Sequence, residues 1–253
     1  MLFYSVSIVL FAIATGGGWC NALPNGKQLD FTDDNCVNNG TAPPSIPTWP
    51  EQFISDFHLY IEQYGDTFQS NGAVIYDWTK KGFRGDFYEY CLPLFNTNKH
   101  EFSNYSCSYL AVNDSMYYVN HTSSNWTENK CCLFQKGLGA LSPDWMKACQ
   151  YNGTAMVSDV CTDVWWFPGT DNANKPCYGY WSARDASKRP IQFFGLASNG
   201  RYGGAILDYY TYKPGEIPED MPVTKPNESC DEECVVPFES SFSVGWPVWP
   251  HCQ

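Results

Sequence analysis

A chain of 253 residues with a formal net charge of −12 at pH 7 offers no basic surface to nucleic acid or anionic lipid headgroups, which sets those partners aside. Only 17% of its residues are charged, whereas 10 tryptophans, 17 tyrosines and 16 phenylalanines supply the apolar area for one large core, so the length suits a single all-β or α+β domain. Twelve cysteines and seven Asn-x-Ser/Thr triplets point to an oxidising compartment where thiols pair and loop asparagines accept glycans.

The chain opens with MLFYSVSIVLFAIATGGGWCNA, an apolar stretch with the length of a secretory h-region and too short to span a bilayer. Residues 1–22 therefore read as a signal peptide, and the protein as secreted or resident in the endo-lysosomal lumen. Cleavage after Ala22 removes Cys20 and leaves an odd number of cysteines, whereas cleavage before Cys20 leaves an even one. No later stretch reads as a membrane span. Residues 23–48 form a Pro-rich irregular leader.

From residue 49 the chain reads as short strands separated by turn chemistry. DFHLYIEQY comes first, then GAVIYDW and FRGDFYEYC around the turn Thr79-Lys80-Lys81-Gly82, which makes a hairpin. SCSYLAV, SMYYVN, TAMVSDV, CTDVWWF, CYGYWSA, PIQFFGL and GAILDYYTY follow, with Asn199-Gly200 as a turn before the last. The pattern predicts an antiparallel meander of about ten strands. One short helix is expected at Ser142 to Lys147, with Ser142 as cap, Pro143 at the first helical position and Asp144 in the first turn. Residues 231–253 read as an irregular tail pinned by Cys234 and Cys252.

Period-two alternation puts Val74, Tyr76 and Trp78 on one face of the first hairpin, with Ala73, Ile75 and Asp77 on the other. The same parity selects Trp181 and Phe193 from the second hairpin, and Leu207 and Tyr209 from the final strand, as the residues facing a ligand.

Cys131 and Cys132 are adjacent, so their Cα atoms lie about 3.8 Å apart, below the roughly 4.4 Å minimum usual for a disulfide. They are expected to bridge two separate partners. Redox and metal readings are weaker, because no C-x-x-C pair is present and the four histidines are scattered. The disulfide-forming set is Cys36, Cys91, Cys107, Cys131, Cys132, Cys149, Cys161, Cys177, Cys230, Cys234 and Cys252. The glycan acceptors are Asn39, Asn104, Asn113, Asn120, Asn125, Asn152 and Asn227, of which the four from Asn104 to Asn125 mark one sugared side.

Catalytic motifs do not emerge. There is no G-x-S-x-G elbow, no H-E-x-x-H and no phosphate-binding glycine loop, and the Gly200 to Gly204 run reads as a hairpin turn. His58 and His251 read as surface or structural. The acidic groups Asp231, Glu232, Glu233 and Glu216, Glu219, Asp220 read first as solvated turns, with calcium binding as the other reading. No other cofactor or catalytic residue is expected.

The strings YDW, FRGDFYEYC, KCC, LSPDWM, CTDVWWF, YWSARDASKRPIQFF and DYYTYKPGEIPEDMPVTKPNESC, spread from Trp49 to Cys230, resemble the ependymin-related secreted proteins. The hairpin W-x-x-R-D-x-x-x-x-P-I carries most of the resemblance, here as Trp181, Arg184, Asp185, Pro190 and Ile191. The resemblance implies a strongly curved antiparallel half-barrel over residues 49–230, similar to bacterial lipoprotein carriers of the LolA type. In that fold the sheet wraps an apolar cavity and helices plug one side. It also implies a Cys91–Cys230 link. This chain has many more cysteines than a typical ependymin, and its tail beyond Cys230 has no counterpart there. The function expected is binding of a lipid or other hydrophobic small molecule in the concavity. The alternatives are a matrix or cell-surface glycoprotein acting through glycans and an acidic, calcium-binding surface and, ranked last, an extracellular hydrolase. The sequence does not set an oligomeric state.

Overall fold

The computed structural model describes residue 36 and residues 43–63, 66–89, 91, 105–137, 139–167, 178–196 and 202–234. Twelve strands run through them: β1 Gln52–Gln63, β2 Asp66–Asp77, β3 Gly82–Phe87, β4 Cys107–Val112, β5 Ser115–Asn120, β6 Lys130–Lys136, β7 Gln150–Val157, β8 Val160–Phe167, β9 Tyr178–Ala183, β10 Pro190–Leu196, β11 Tyr202–Tyr209 and β12 Lys213–Pro214. They form one open, curved antiparallel sheet in the order β6-β5-β4-β3-β2-β1-β11-β10-β9-β8-β7, with β12 added beside β1. The first six strands are a run of hairpins leading outward. The next five lead back, until β11 pairs with β1 at Phe57↔Tyr209 and Leu59↔Leu207.

The expected hairpins are present, including β2–β3 around Thr79 to Gly82. KCCLFQK, read above only as a disulfide site, is a further strand, β6. The helix expected at Ser142 to Lys147 is instead a four-residue 3-10 turn, Trp145–Ala148. The Ser142 hydroxyl donates to the Asp144 carboxylate at 2.6 Å and caps no helix amide. The turn buries Trp145 and Met146, and β7 begins at Gln150, which leaves no length for a helix.

Alternation divides the buried residues between the two faces of the sheet. The inner face gathers Phe53, Phe57, Tyr76, Phe87, Tyr109, Trp165, Tyr180, Phe193, Leu207 and Tyr209 into one apolar layer. The outer face carries two separate patches. Ile75, Leu110, Tyr117, Val119 and Leu133 lie under the segment that brings Ile217, Val223 and Cys230 across them. Ala155, Val164, Trp181, Ala183 and Ile191 form the other patch.

Trp49 shows how far the sheet curls. Its ring lies 5.1 Å from that of Tyr76 on β2 and 6.5 Å from that of Tyr180 on β9. Those strands are four places apart, about 19 Å along a flat sheet, so the sheet bends around the indole.

Four disulfides are present among the described residues: Cys36–Cys161, Cys91–Cys107, Cys131–Cys230 and Cys132–Cys234. Cys131 and Cys132 do take different partners, because neighbouring side chains on β6 point to opposite faces. The Cys91–Cys230 link implied by the resemblance is overturned. Cys91 follows β3 and meets Cys107 at the start of the adjacent β4, while Cys230 is carried to the far edge of the sheet. That edge is covered by the chain's own continuation: the Leu133 amide donates to Glu232 O at 2.7 Å and the Cys234 amide to Leu133 O at 3.0 Å. An unpaired strand edge is thereby closed to other chains. Cys149 is buried in the inner layer. Cys20, Cys177, Cys252, His251, the Asn199-Gly200 turn and the expected signal peptide lie outside the described residues.

Candidate functional site

The inner layer is built around Trp49. Its indole makes edge contacts with Phe53 at 5.2 Å and Trp145 at 5.1 Å, and Nε1 donates to Tyr180 Oη at 3.0 Å. Its backbone amide donates to Pro143 O at 2.9 Å, and Tyr76 Oη donates to Leu141 O at 2.8 Å. The segment from Ala140 to Cys149 is thus held across the inner face. Burial pushes the phenols of Tyr76, Tyr180 and Tyr209 well above their usual range, and that of Tyr212 up to about 12, so all four stay neutral donors at ordinary pH.

Of the seven residues selected by parity, Val74, Tyr76, Phe193, Leu207 and Tyr209 share this layer, and Trp78 packs at its margin. Trp181 does not. It sits on the outer face with Val164 and Ile191. The cause is a bulge in the β9–β10 pairing. Pro190 opposes Ser182, but Gln192 opposes Trp181 and Phe193 opposes Tyr180. Without that slip Trp181 would face Ile191 and share the side of Phe193; with it, the two strands exchange faces. The Trp181 ring lies along Gly179, where an added Cβ would fall 2.5 Å from it. Tyr180 is the inner residue that parity missed.

A second constellation was also passed over. On the outer face Arg84 grips Asp86 through Nε at 2.6 Å and Nη2 at 2.7 Å, Ser108 Oγ donates to Asp86 Oδ1 at 2.5 Å, and His121 Nε2 lies 2.6 Å from Ser108 Oγ. Arg84 also donates to Pro222 O at 3.0 Å and lies 3.9 Å from the centre of the Trp126 ring. These are the residue types of a hydrolytic triad in the wrong order. The serine proton goes to the carboxylate, so the imidazole donates to Ser108 Oγ and cannot act as its base. Ser108 is fully buried, which removes it from any substrate. The row is a structural one: alternate polar positions on β3 and β4 pair across the strands at Asp86↔Ser108.

In the Trp181–Ile191 motif, Arg184 Nε lies 3.2 Å and Lys188 Nζ 2.9 Å from the buried carboxylate of Asp163. Asp185 accepts from the Ser187 amide at 2.8 Å and shapes the hairpin turn. Both motif residues therefore have structural work to do.

His58 lies at 3.1 Å from Asn71 Oδ1 on the outer face. Asp231 accepts from Lys225 at 2.7 and 2.8 Å, and Glu216, Glu219 and Asp220 are exposed. Among the described residues no three carboxylate, histidine or cysteine side chains gather as a metal cluster. Of the glycan acceptors, Asn113 and Asn125 are exposed, Asn120 and Asn152 are half-buried, and Asn39 and Asn104 lie outside the described residues. Asn227 donates both carboxamide hydrogens, to Thr127 O at 3.0 Å and Asn129 O at 2.9 Å.

No helix among the described residues is long and apolar enough to cross a membrane. No family model and no curated protein matches the chain. Among solved structures it is similar to an uncharacterized conserved protein from Thermus thermophilus, at 12% identity and a TM-score of 0.36, covering 66% of this chain and 81% of that one. A LolA superfamily protein from Nitrosomonas europaea overlaps at 9% identity and a TM-score of 0.32, over 69% of this chain and 91% of the other. Overlaps at this level say nothing about what the chain binds.

Proposed function

We propose that the chain is a secreted binding protein that holds a lipid or other hydrophobic small molecule against the inner face of its sheet. The observation that carries this reading is the makeup of that face. A sheet ordinarily covers its apolar side with helices or a second sheet. Here the described cover of the inner layer is Trp49, Tyr212, Cys91 and the segment from Ala140 to Cys149, with no second layer of regular structure among the described residues. Aromatic walls of this kind favour an acyl chain by about 0.8 kcal/mol for each methylene withdrawn from water. The four disulfides suit an oxidising, extracellular setting. The resemblance of Trp49 to Cys230 to ependymin-related proteins favours the same reading, a carrier with no catalytic step.

The test is titration of the purified protein with a fluorescent fatty acid. Saturable uptake near one molecule per chain is expected. Absence of uptake overturns the proposal and favours a surface or matrix glycoprotein.

A further inference from the structure

The two ends of the sheet are finished differently. At β6 the chain's own Glu232 to Cys234 takes up backbone groups of the edge. β7 ends the sheet on the other side, and among the described residues no strand pairs with it apart from β8. A strand edge left in this way is a template for another chain, and proteins ordinarily blunt it with lysine, proline or a bulge. Gln150 to Val157 contains no charged residue and no proline. Its one built-in device is a bulge between Tyr151 and Thr154. Beyond it the ladder to β8 is regular, from Thr154↔Asp163 to Val157↔Val160, and Met156 in that stretch is exposed. The bulge therefore leaves the second half of the strand fit for pairing.

The bulge also carries a glycan acceptor, Asn152-Gly153-Thr154. Gly153 lies at φ +97°, and an added Cβ there would meet nothing within 4 Å, so open space adjoins the acceptor. Among the described residues the Asn152 carboxamide makes no hydrogen bond, whereas Asn227 gives both its hydrogens to the backbone. Glycosylating Asn152 thus breaks no bond of the fold. A glycan is bulky and solubilising, and one rooted on the edge strand obstructs the line along which a partner strand would bond.

We propose that a glycan on Asn152 guards this edge and keeps a second copy of the chain from adding its own β7 there. The excluded partner is a second copy because β7 offers the same uncharged edge to itself: two antiparallel copies about a two-fold axis satisfy each other's backbone groups. With β6 covered, such association closes at two chains. The inference does not depend on what the inner face binds.

The experiment compares the unmutated protein, N152Q, M156K and N152Q/M156K, purified from a secreting cell, by glycopeptide mapping and by light scattering across a concentration series. The asparagine is replaced rather than Thr154, whose hydroxyl donates to Cys36 O at 2.8 Å. Expected are an occupied Asn152 and a monomer for the unmutated protein, and a concentration-dependent rise of N152Q to about twice the chain mass. N152Q/M156K should be monomeric again, because the pairing would bring lysines of the two copies together. Should N152Q not be secreted, enzymatic removal of the glycans from folded unmutated protein and from folded M156K gives the same comparison. An unoccupied Asn152, a glycosylated protein that already pairs, or an N152Q as monomeric as its parent overturns the proposal. Association that M156K leaves intact, or that grows past two chains, also overturns it, since another surface would then be at work.

Discussion

The carboxamide of Asn227 has two hydrogens and gives both to backbone carbonyls at the start of β6, while its oxygen accepts from the Ser229 amide at 3.0 Å. N-glycosylation replaces one of those hydrogens, so a sugar there breaks a bond that seats the covering segment. Glycopeptide mapping of secreted protein is expected to find Asn113 and Asn125 occupied and Asn227 bare; a fully occupied Asn227 in folded material would reject this assignment. His121 makes a different prediction. Burial is the main cause that lowers its pKa from the ordinary 6.5; Asp86 opposes this and Arg84 adds to it. The folded state then binds fewer protons than the unfolded one. The neutral imidazole's contribution is present above about pH 6.5 and is lost as pH falls through the folded pKa. Unfolding midpoints between pH 7 and pH 5 should therefore drop more steeply for the unmutated protein than for H121Q, and parallel profiles would show that His121 is not the group responsible. At this scale the sequence was legible only in part. Period two placed Val74, Tyr76, Phe193, Leu207 and Tyr209 on one face, but the bulge at Pro190 to Gln192 leaves no mark in residue type, so Trp181 was taken where Tyr180 belongs. The Arg84–Asp86–Ser108–His121 row was invisible for a related reason, since its members meet only after three strands pair.

The segment from Ile217 to Cys234 depends on two neighbouring disulfides whose sequence separations are 99 and 102. Either one closes the long loop. Once it is closed, the other closes a loop of only about five residues. In the chain-entropy view the first contributes about 4.7 kcal/mol and the second about 2 kcal/mol. Replacing Cys131 and Cys230 by serine, or Cys132 and Cys234, should each cost about 2 kcal/mol in urea unfolding, whereas removing both bridges should cost about 6–7 kcal/mol. Strict additivity of the two pair replacements would mean that the bridges constrain independent parts of the fold. Hairpins were the most legible elements, because alternating apolar residues and turn residues coincide, as around Thr79 to Gly82. β6 was hidden, since its two cysteines and flanking lysines blur the period, and Ser142 to Lys147 carries helix-start signals that the nearby start of β7 cuts short.

Over the whole molecule, the antiparallel class and the meander were readable from the spacing of strands and turns, while the curl of the sheet was expected only from the resemblance, because it depends on Trp49 reaching rings four strands apart. Whether the inner layer packs only on itself or also on a ligand separates two behaviours of one variant. For Phe193, 2% exposed in that layer, truncation to alanine costs about 3–5 kcal/mol if the layer is self-packed. A site shared with a bound molecule predicts a smaller loss, regained on adding fatty acid, and a melting temperature indifferent to ligand would favour self-packing. The central claim is tested most directly by native mass spectrometry of protein purified gently from a secreting cell. The account predicts a complex heavier than the glycosylated polypeptide by one lipid-sized molecule, lost on organic extraction and restored by adding fatty acid. A single species at the polypeptide-plus-glycan mass that takes up no added fatty acid would contradict it.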